Sequence, residues 1–263
     1  MQVPARLRKA CWVCKPPTFL GLALLVVLTA CAPARPSPGS SEPAASSNGA
    51  ASTGPQALTI VNSNEPLSIQ GFAGTNANRG SGLILAIVHS SLTAQDEHGV
   101  YQPQLAAQGV SAESGTWRLN PDGSMDVTWK LRPNVQWQDG APFTSSDMLF
   151  TFNLKKDPLY PSVDAAVLAL MASATAPDPT TFVVHWANPY WAADAAQGLV
   201  PLPEHLLAEP YARGDPEAFI NSPFFTSDFI GLGPYRLTRW ERGSEMDYAR
   251  FDGYFLGRRA STP

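Results

Sequence analysis

The stretch from Asn120 to Phe152, NPDGSMDVTWKLRPNVQWQDGAPFTSSDMLFTF, leaves its backbone the fewest choices of any in the chain. Pro121-Asp122-Gly123 is a turn, since Pro presets φ and Gly accepts a positive one. Met125, Val127, Trp129 and Leu131 then alternate with Asp126, Thr128, Lys130 and Arg132, the period of a strand with one buried face. Arg132-Pro133-Asn134 interrupts it, Val135 and Trp137 resume it, and Asp139-Gly140 turns the chain again. Thr144, with Asp147 three residues on, has the spacing of a capping box and opens a helix with Met148, Leu149 and Phe152 on its apolar face. Asp157-Pro158 closes that helix. Asp139 and Asp147 are thereby a turn residue and a cap, with no catalytic role.

In order and spacing, Leu131-Arg132, Trp137, Asp139-Gly140, Pro142, Thr144 and Asp147 resemble the signature of the family 5 extracytoplasmic solute-binding proteins of ABC importers, the oligopeptide- and dipeptide-binding type. A second motif, Gly231-Leu232-Gly233-Pro234-Tyr235, is similar to the family's Gly-Thr-Gly-Pro-Tyr and departs from it at Leu232. Tyr101 to Ala106, Asp178 to Trp186 and Leu199 to Leu207 also resemble family segments. The resemblance implies an α/β fold of mixed-sheet lobes, like the type II periplasmic binding proteins. It runs from about Leu58 to Gly257 and covers the first half of the family's usual length. The architecture is therefore expected to be incomplete, with the second ligand-binding lobe absent.

The N-terminus reads as an export signal. Arg6, Arg8, Lys9 and Lys15 precede an apolar run from Phe19 to Leu28, which is too short to span a bilayer. Leu28-Thr29-Ala30-Cys31 resembles a lipobox, so Cys31 is expected to be the first mature residue and to carry the lipid. An ordinary signal peptide with an incidental cysteine is the alternative. Cys11 and Cys14 fall inside the removed segment, which leaves no disulfide and no thiol chemistry. Removal takes four basic and no acidic residues, and the formal charge moves from −4 to −8. Residues 32–56 are nearly all Ala, Pro, Ser, Gly, Thr or Asn and cannot bury enough apolar surface to order themselves. They are expected to form a tether reaching roughly 25–30 Å.

Leu58 to Val61 reads as a first buried strand, Gly71 to Gly82 as a loop, and Leu83 to Leu92 as a short helix leading into a hairpin. The resemblance places Thr75, Asn76, Ala77, Asn78 and Arg79 on the ligand cleft, partly through main-chain contacts. Val163 to Ala174 predicts a second helix, and Phe182 to Trp186 a strand. His205 is a helix-start residue. Overall the resemblance divides the chain into a signal peptide (1–30), a lipidated tether (31–56), parts of lobe I (57–90 and 178–257), a family-specific extra domain (91–177) and a tail (258–263).

The function implied is solute binding for an ABC importer, with a peptide or other small solute and the permease subunits as partners. The protein would sit outside the cytoplasm on a lipid anchor, with capture impaired by the absent lobe. A docking lipoprotein that keeps the fold, or a split binder completed by a second chain, are the alternatives. With a net charge of −4, nothing argues for nucleic acid as a partner, and none is expected. An enzyme is not expected: His89, His98, His185 and His205 lack metal-ligand spacing, and no Gly-x-Ser-x-Gly occurs. Neither a metal nor a cofactor is implied. Asp96-Glu97 belong to a turn rather than to a shared acid–base site.

Overall fold

The computed structural model describes residues 57–70 and 81–257, and all of these but Ala57 belong to a compact unit, Leu58–Pro263. Its centre is the strand the alternation predicts. Strand β4 (Met125–Lys130) buries Met125, Val127 and Trp129 and turns Asp126 and Thr128 outward. It lies between β3 (Trp117–Leu119) and β6 (Thr181–Trp186), and β5 (Met171–Asp178) pairs with the far edge of β6. All neighbours are antiparallel. The register sets Met125 opposite Trp186, Val127 opposite Val184 and Trp129 opposite Phe182, all buried, so each rung adds a large apolar pair to one face. The sheet takes strands from both sides of position 178.

On the outer face the same register places Asp126 opposite both Arg118 and His185. The carboxylate accepts from Arg118 Nη2 at 2.8 Å, His185 Nδ1 at 2.7 Å and Asn120 Nδ2 at 3.1 Å. These partners, Arg118 first, hold its pKa down at about 2.

Helix α2 (Ser145–Lys156) covers the buried face. Its capping box is formed: Thr144 accepts from the Ser146 amide, and Asp147 accepts from the Thr144 amide at 2.9 Å. Met148 and Phe152 point into the cluster over the sheet. Phe150 and Leu154 point the other way, into a second cluster built with α4 (Glu204–Ala212), α5 (Pro216–Ile220) and the aromatic run Phe219, Phe224, Phe225 and Phe229. The remaining elements among the described residues are α1 (Ser81–Val88), the hairpin of β1 (Thr93–Gln95) and β2 (Tyr101–Pro103), α3 (Ala165–Leu170), the hairpin of β7 (Tyr235–Glu241) and β8 (Glu245–Arg250), and two short 3₁₀ turns at Ala193–Ala195 and Pro223–Phe225.

Two expectations are corrected. The helix expected over Val163 to Ala174 ends at Leu170, and Met171 begins a strand. Lys156 Nζ donates to the carbonyls of Leu168 and Met171, at 3.2 and 2.6 Å, and pairing with β6 then overrides the helix preference of the alanines. Leu58 to Val61 is neither a strand nor buried: Leu58 is 85% and Val61 90% exposed. A strand exists only through a ladder, and among the described residues none pairs with this segment. The chain enters the fold further on, where Glu65 accepts from Trp240 Nε1 and the Gly243 amide, both at 2.9 Å, Pro66 is buried, and Ile69 donates its amide to the Phe225 carbonyl at 2.9 Å.

Candidate functional site

Helix α1 begins directly after the segment in which sequence reasoning put the ligand contacts, so what holds α1 positions that edge of the molecule. Its C-terminal turn is held by the Gly-Leu-Gly motif. A Cβ on Gly231 would lie 2.0 Å from the Val88 carbonyl oxygen, and one on Gly233 would lie 2.3 Å from the His89 nitrogen. Only glycine lets these two backbones meet. The Gly233 amide donates to Val88 O at 3.0 Å, supplying one of the helix-end carbonyls with a partner.

Gln138 completes the joint. Its Nε2 lies within hydrogen-bonding distance of the carbonyls of Val88, Gly233 and Tyr235 (3.1, 3.2 and 2.8 Å), and its Oε1 accepts from the Gly231 amide at 3.0 Å. One buried amide thus ties the signature turn to α1 and to the start of β7. His89 is the second tie. Its Nδ1 accepts from the Leu232 amide, which leaves the proton on Nε2 to be donated to the Pro201 carbonyl, both at 3.1 Å. The ring stacks on Trp137 with Phe229 at its edge, and burial lowers its pKa to about 4. His89 is therefore neutral at pH 7. The amide at Leu232, where the family has Thr, has its acceptor in His89, and the leucine side chain fills the sheet-side core.

Asp147 does more than cap its own helix. Its Oδ1 accepts from the Glu204 amide at 3.0 Å, so a single carboxylate serves the N-termini of both α2 and α4. Desolvation raises its pKa against those hydrogen bonds. Thr151 Oγ1 accepts from the Leu202 amide at 2.8 Å, and His205 Nε2 meets Asp139 Oδ2 at 2.8 Å. His205 is a helix-start residue, as expected, and Asp139 closes the turn by accepting from the Ala141 amide. Asp96 likewise closes the β1–β2 turn by accepting from the amides of His98 and Val100.

Between α1 and the β1–β2 hairpin runs a half-open groove of about 280 Å³. Leu85, Ala86 and His89 form its helical wall, and Ser90, Ser91, Thr93, Ala94 and Gln104 the other. Thr93 Oγ1 is turned away and donates to the carbonyls of Asp194 and Ala195. Among the described residues no group of three or more His, Cys, Asp or Glu is placed to hold a metal. Thr75, Asn76, Ala77, Asn78 and Arg79 lie outside the described residues, as does Cys31. The groove residues were missed by sequence reasoning because Ser90, Ser91 and Gln104 belong to no motif; only their position after a short helix and beside a hairpin brings them together.

Residues 101–262 match the model of the bacterial extracellular solute-binding proteins, family 5. The chain belongs to this family. Family 5 is named for binding solutes outside the cytoplasm rather than for catalysis. A Brucella ovis protein described as a putative ABC transporter peptide-binding protein is 33% identical over 144 residues, 54% of this chain and 26% of that one. Protein XP55 of Streptomyces lividans is 28% identical over 162 residues, 61% and 27% of the two chains. NikZ from Campylobacter jejuni, solved in complex with Ni(L-His), superposes with a TM-score of 0.59 at 26% identity, covering 74% of this chain and 35% of that one. The Bacillus subtilis oligopeptide-binding protein AppA, solved with a nonapeptide, gives 0.58 at 21% identity over 68% and 33%, a likeness of fold. The chain spans about a quarter of the length of these curated relatives. No helix among its described residues is long and apolar enough to cross a membrane.

Proposed function

We propose that this family 5 chain serves as the solute-binding component of an ABC importer of the peptide type. Lipid on Cys31 holds it outside the cytoplasm, and residues 57–90 and 178–257 contribute to lobe I, with 91–177 as the extra domain. The observation that carries the reading is the family match over residues 101–262, supported by the peptide-binding description of the Brucella relative. The ties converging on α1 support it too, because they hold a rigid edge directly after Thr75 to Arg79, the segment proposed to face the solute. Good small-solute sites bury most of the ligand, and the groove beside α1 is open on one side. Solute affinity of this chain by itself is therefore expected in the millimolar range, about 4 kcal/mol of binding free energy.

Calorimetric titration of the chain against free peptides and sugars tests this, together with co-purification with importer permease subunits. Weak peptide binding and permease capture are the expected results. Micromolar affinity for the chain alone would overturn the expectation of weak binding. Absence of both peptide binding and permease capture would leave a docking lipoprotein as the better account. For the anchor, the native protein is expected to show acyl mass on Cys31, and Cys31→Ala to abolish it.

A further inference from the structure

Leu58 is the first large apolar residue after Cys31, since residues 32–57 contain no Leu, Ile, Val, Met, Phe, Tyr or Trp. From there Leu58, Thr59, Ile60 and Val61 run outside any helix or strand. All four are exposed, and none hydrogen-bonds another described residue. At Glu65 the chain changes character. Its carboxylate accepts from Trp240 Nε1 and the Gly243 amide, both at 2.9 Å. Arg242 donates to the carbonyls of Pro66 and Leu67 at 2.9 and 3.1 Å, and its guanidinium lies 3.8 Å over the Trp240 ring. The β7–β8 turn thus clasps residues 65–67, which cannot lift off without breaking several of these contacts together.

We propose that residues 58–62 are a processing site, cut by an endoprotease that recognises apolar side chains, and that the cut frees the clasped body from the segment before it. A protease needs several consecutive residues accessible at once, and in a helix or a strand ladder cleavage must wait for local opening. Here no such opening is required. Leu58, Ile60 and Val61 offer the side chains that an apolar specificity pocket takes; residues 32–57 offer none, and the clasp withholds those that follow. Sequence sets one limit of the window and structure the other. The step is hydrolysis: water adds across one peptide bond, its oxygen to the carbonyl carbon and a proton to the leaving nitrogen. A carboxylate and an ammonium result, with no oxidant or cofactor. The cut stands on this geometry, whereas release from a membrane rests on the lipid proposed above for Cys31. A partner strand covering Leu58 to Val61 would instead protect them, and the test separates the two.

The mature chain, purified from cells, is treated briefly with thermolysin, which cuts on the amino side of Leu, Ile and Val, and the products are weighed by mass spectrometry. The first products are expected to begin at Leu58, Ile60 or Val61 and then to persist. Replacing these three together (Leu58→Ser, Ile60→Ser, Val61→Ser) is expected to slow the cut about tenfold or more and to leave the urea midpoint unchanged, because all three side chains are exposed. Glu65→Ala loosens the clasp and is expected to carry the cut on past Pro66. In cells making the full chain, a released body that begins within this window is expected outside the cytoplasmic membrane, and the triple variant is expected to stay bound. A first cut beyond Glu65, an equal cutting rate in the triple variant, or a chain that stays whole in cells overturns the proposal. Absence of acyl mass on Cys31 would sink the anchor and leave the thermolysin result to decide the site, while the solute panel judges the importer role by itself.

Discussion

At the scale of single residues, the molecule is most sensitive where backbone meets backbone. Both contacts that a Cβ on Gly233 would make below 2.5 Å are to main-chain atoms of Val88 and His89, so no side chain can swing aside. Gly233→Ala is therefore expected to cost about 3 kcal/mol or more in urea unfolding. Gly82→Ala, in α1 with nothing within 4 Å of the added carbon, is expected to gain about 0.5–1 kcal/mol. His89 gives a second test, with a definite sign. Its folded pKa, about 4, lies below the ordinary 6.5, so between these values the unfolded chain binds the proton and the folded chain does not. Stability is thus fully present above pH 6.5 and falls as pH drops toward 4, by about 3 kcal/mol across the window. Asp126 loses its contribution lower, as pH falls from 3.8 toward about 2. Asp147, with its pKa raised, slopes the other way. Urea midpoints of wild type and His89→Gln at a series of pH values isolate the histidine: the difference between the two curves is expected to change between pH 6.5 and 4 and to stay flat above.

At the scale of elements, Asp147 decides how α2 and α4 are joined. Replacing it by Ala strips acceptors from the Thr144 and Glu204 amides at once. The expected loss is about 2–3 kcal/mol, more than for one cap, and Asp147→Asn, with one oxygen left, is expected to fall between. Chemical denaturation of the two variants checks the order. Half of this joint was legible in the sequence. Thr144 and Asp147 stand three apart, and that spacing encodes the reciprocal cap. The link to Glu204 is invisible there, because nothing in a local pattern says which distant helix shares a carboxylate. The same contrast runs through the other elements. Alternation from Met125 to Leu131 gives the strand and its buried face, since a period of two has one structural meaning. Val163 to Ala174 reads as helix on composition, and pairing with β6 changes the answer. Leu58 to Val61 carries strand-like composition without a partner strand. Phe150 and Leu154 fall outside the single apolar face that Met148, Leu149 and Phe152 suggest, because α2 is buried on two sides. Of the proposed site, sequence reached the segment before α1 by resemblance and missed the groove after it.

At the scale of the whole molecule, two apolar clusters meet along α2 and Ile230, one under the four-stranded sheet and one around α1, α4, α5 and the β7–β8 hairpin. Apolar contact alone would let these bodies slide, because it has no direction. Gln138 supplies direction: it is anchored in the signature turn on the sheet side, and its amide contacts backbone groups from Val88 to Tyr235. Gln138→Leu would preserve much of the buried volume and orphan those groups. The two clusters should then part company in hydrogen exchange. Amides of Gly231 and Gly233 are expected to exchange about a hundredfold faster, equivalent to about 2.7 kcal/mol of local opening, while those of β4 and β6 keep their protection. Equal acceleration in β4 and β6 would mean that the clusters unfold as one body, and α1 would owe its position to the whole core rather than to this joint. The first outcome fits an α1 edge whose placement is set locally by Gln138, His89 and two glycines, leaving the sheet to supply stability.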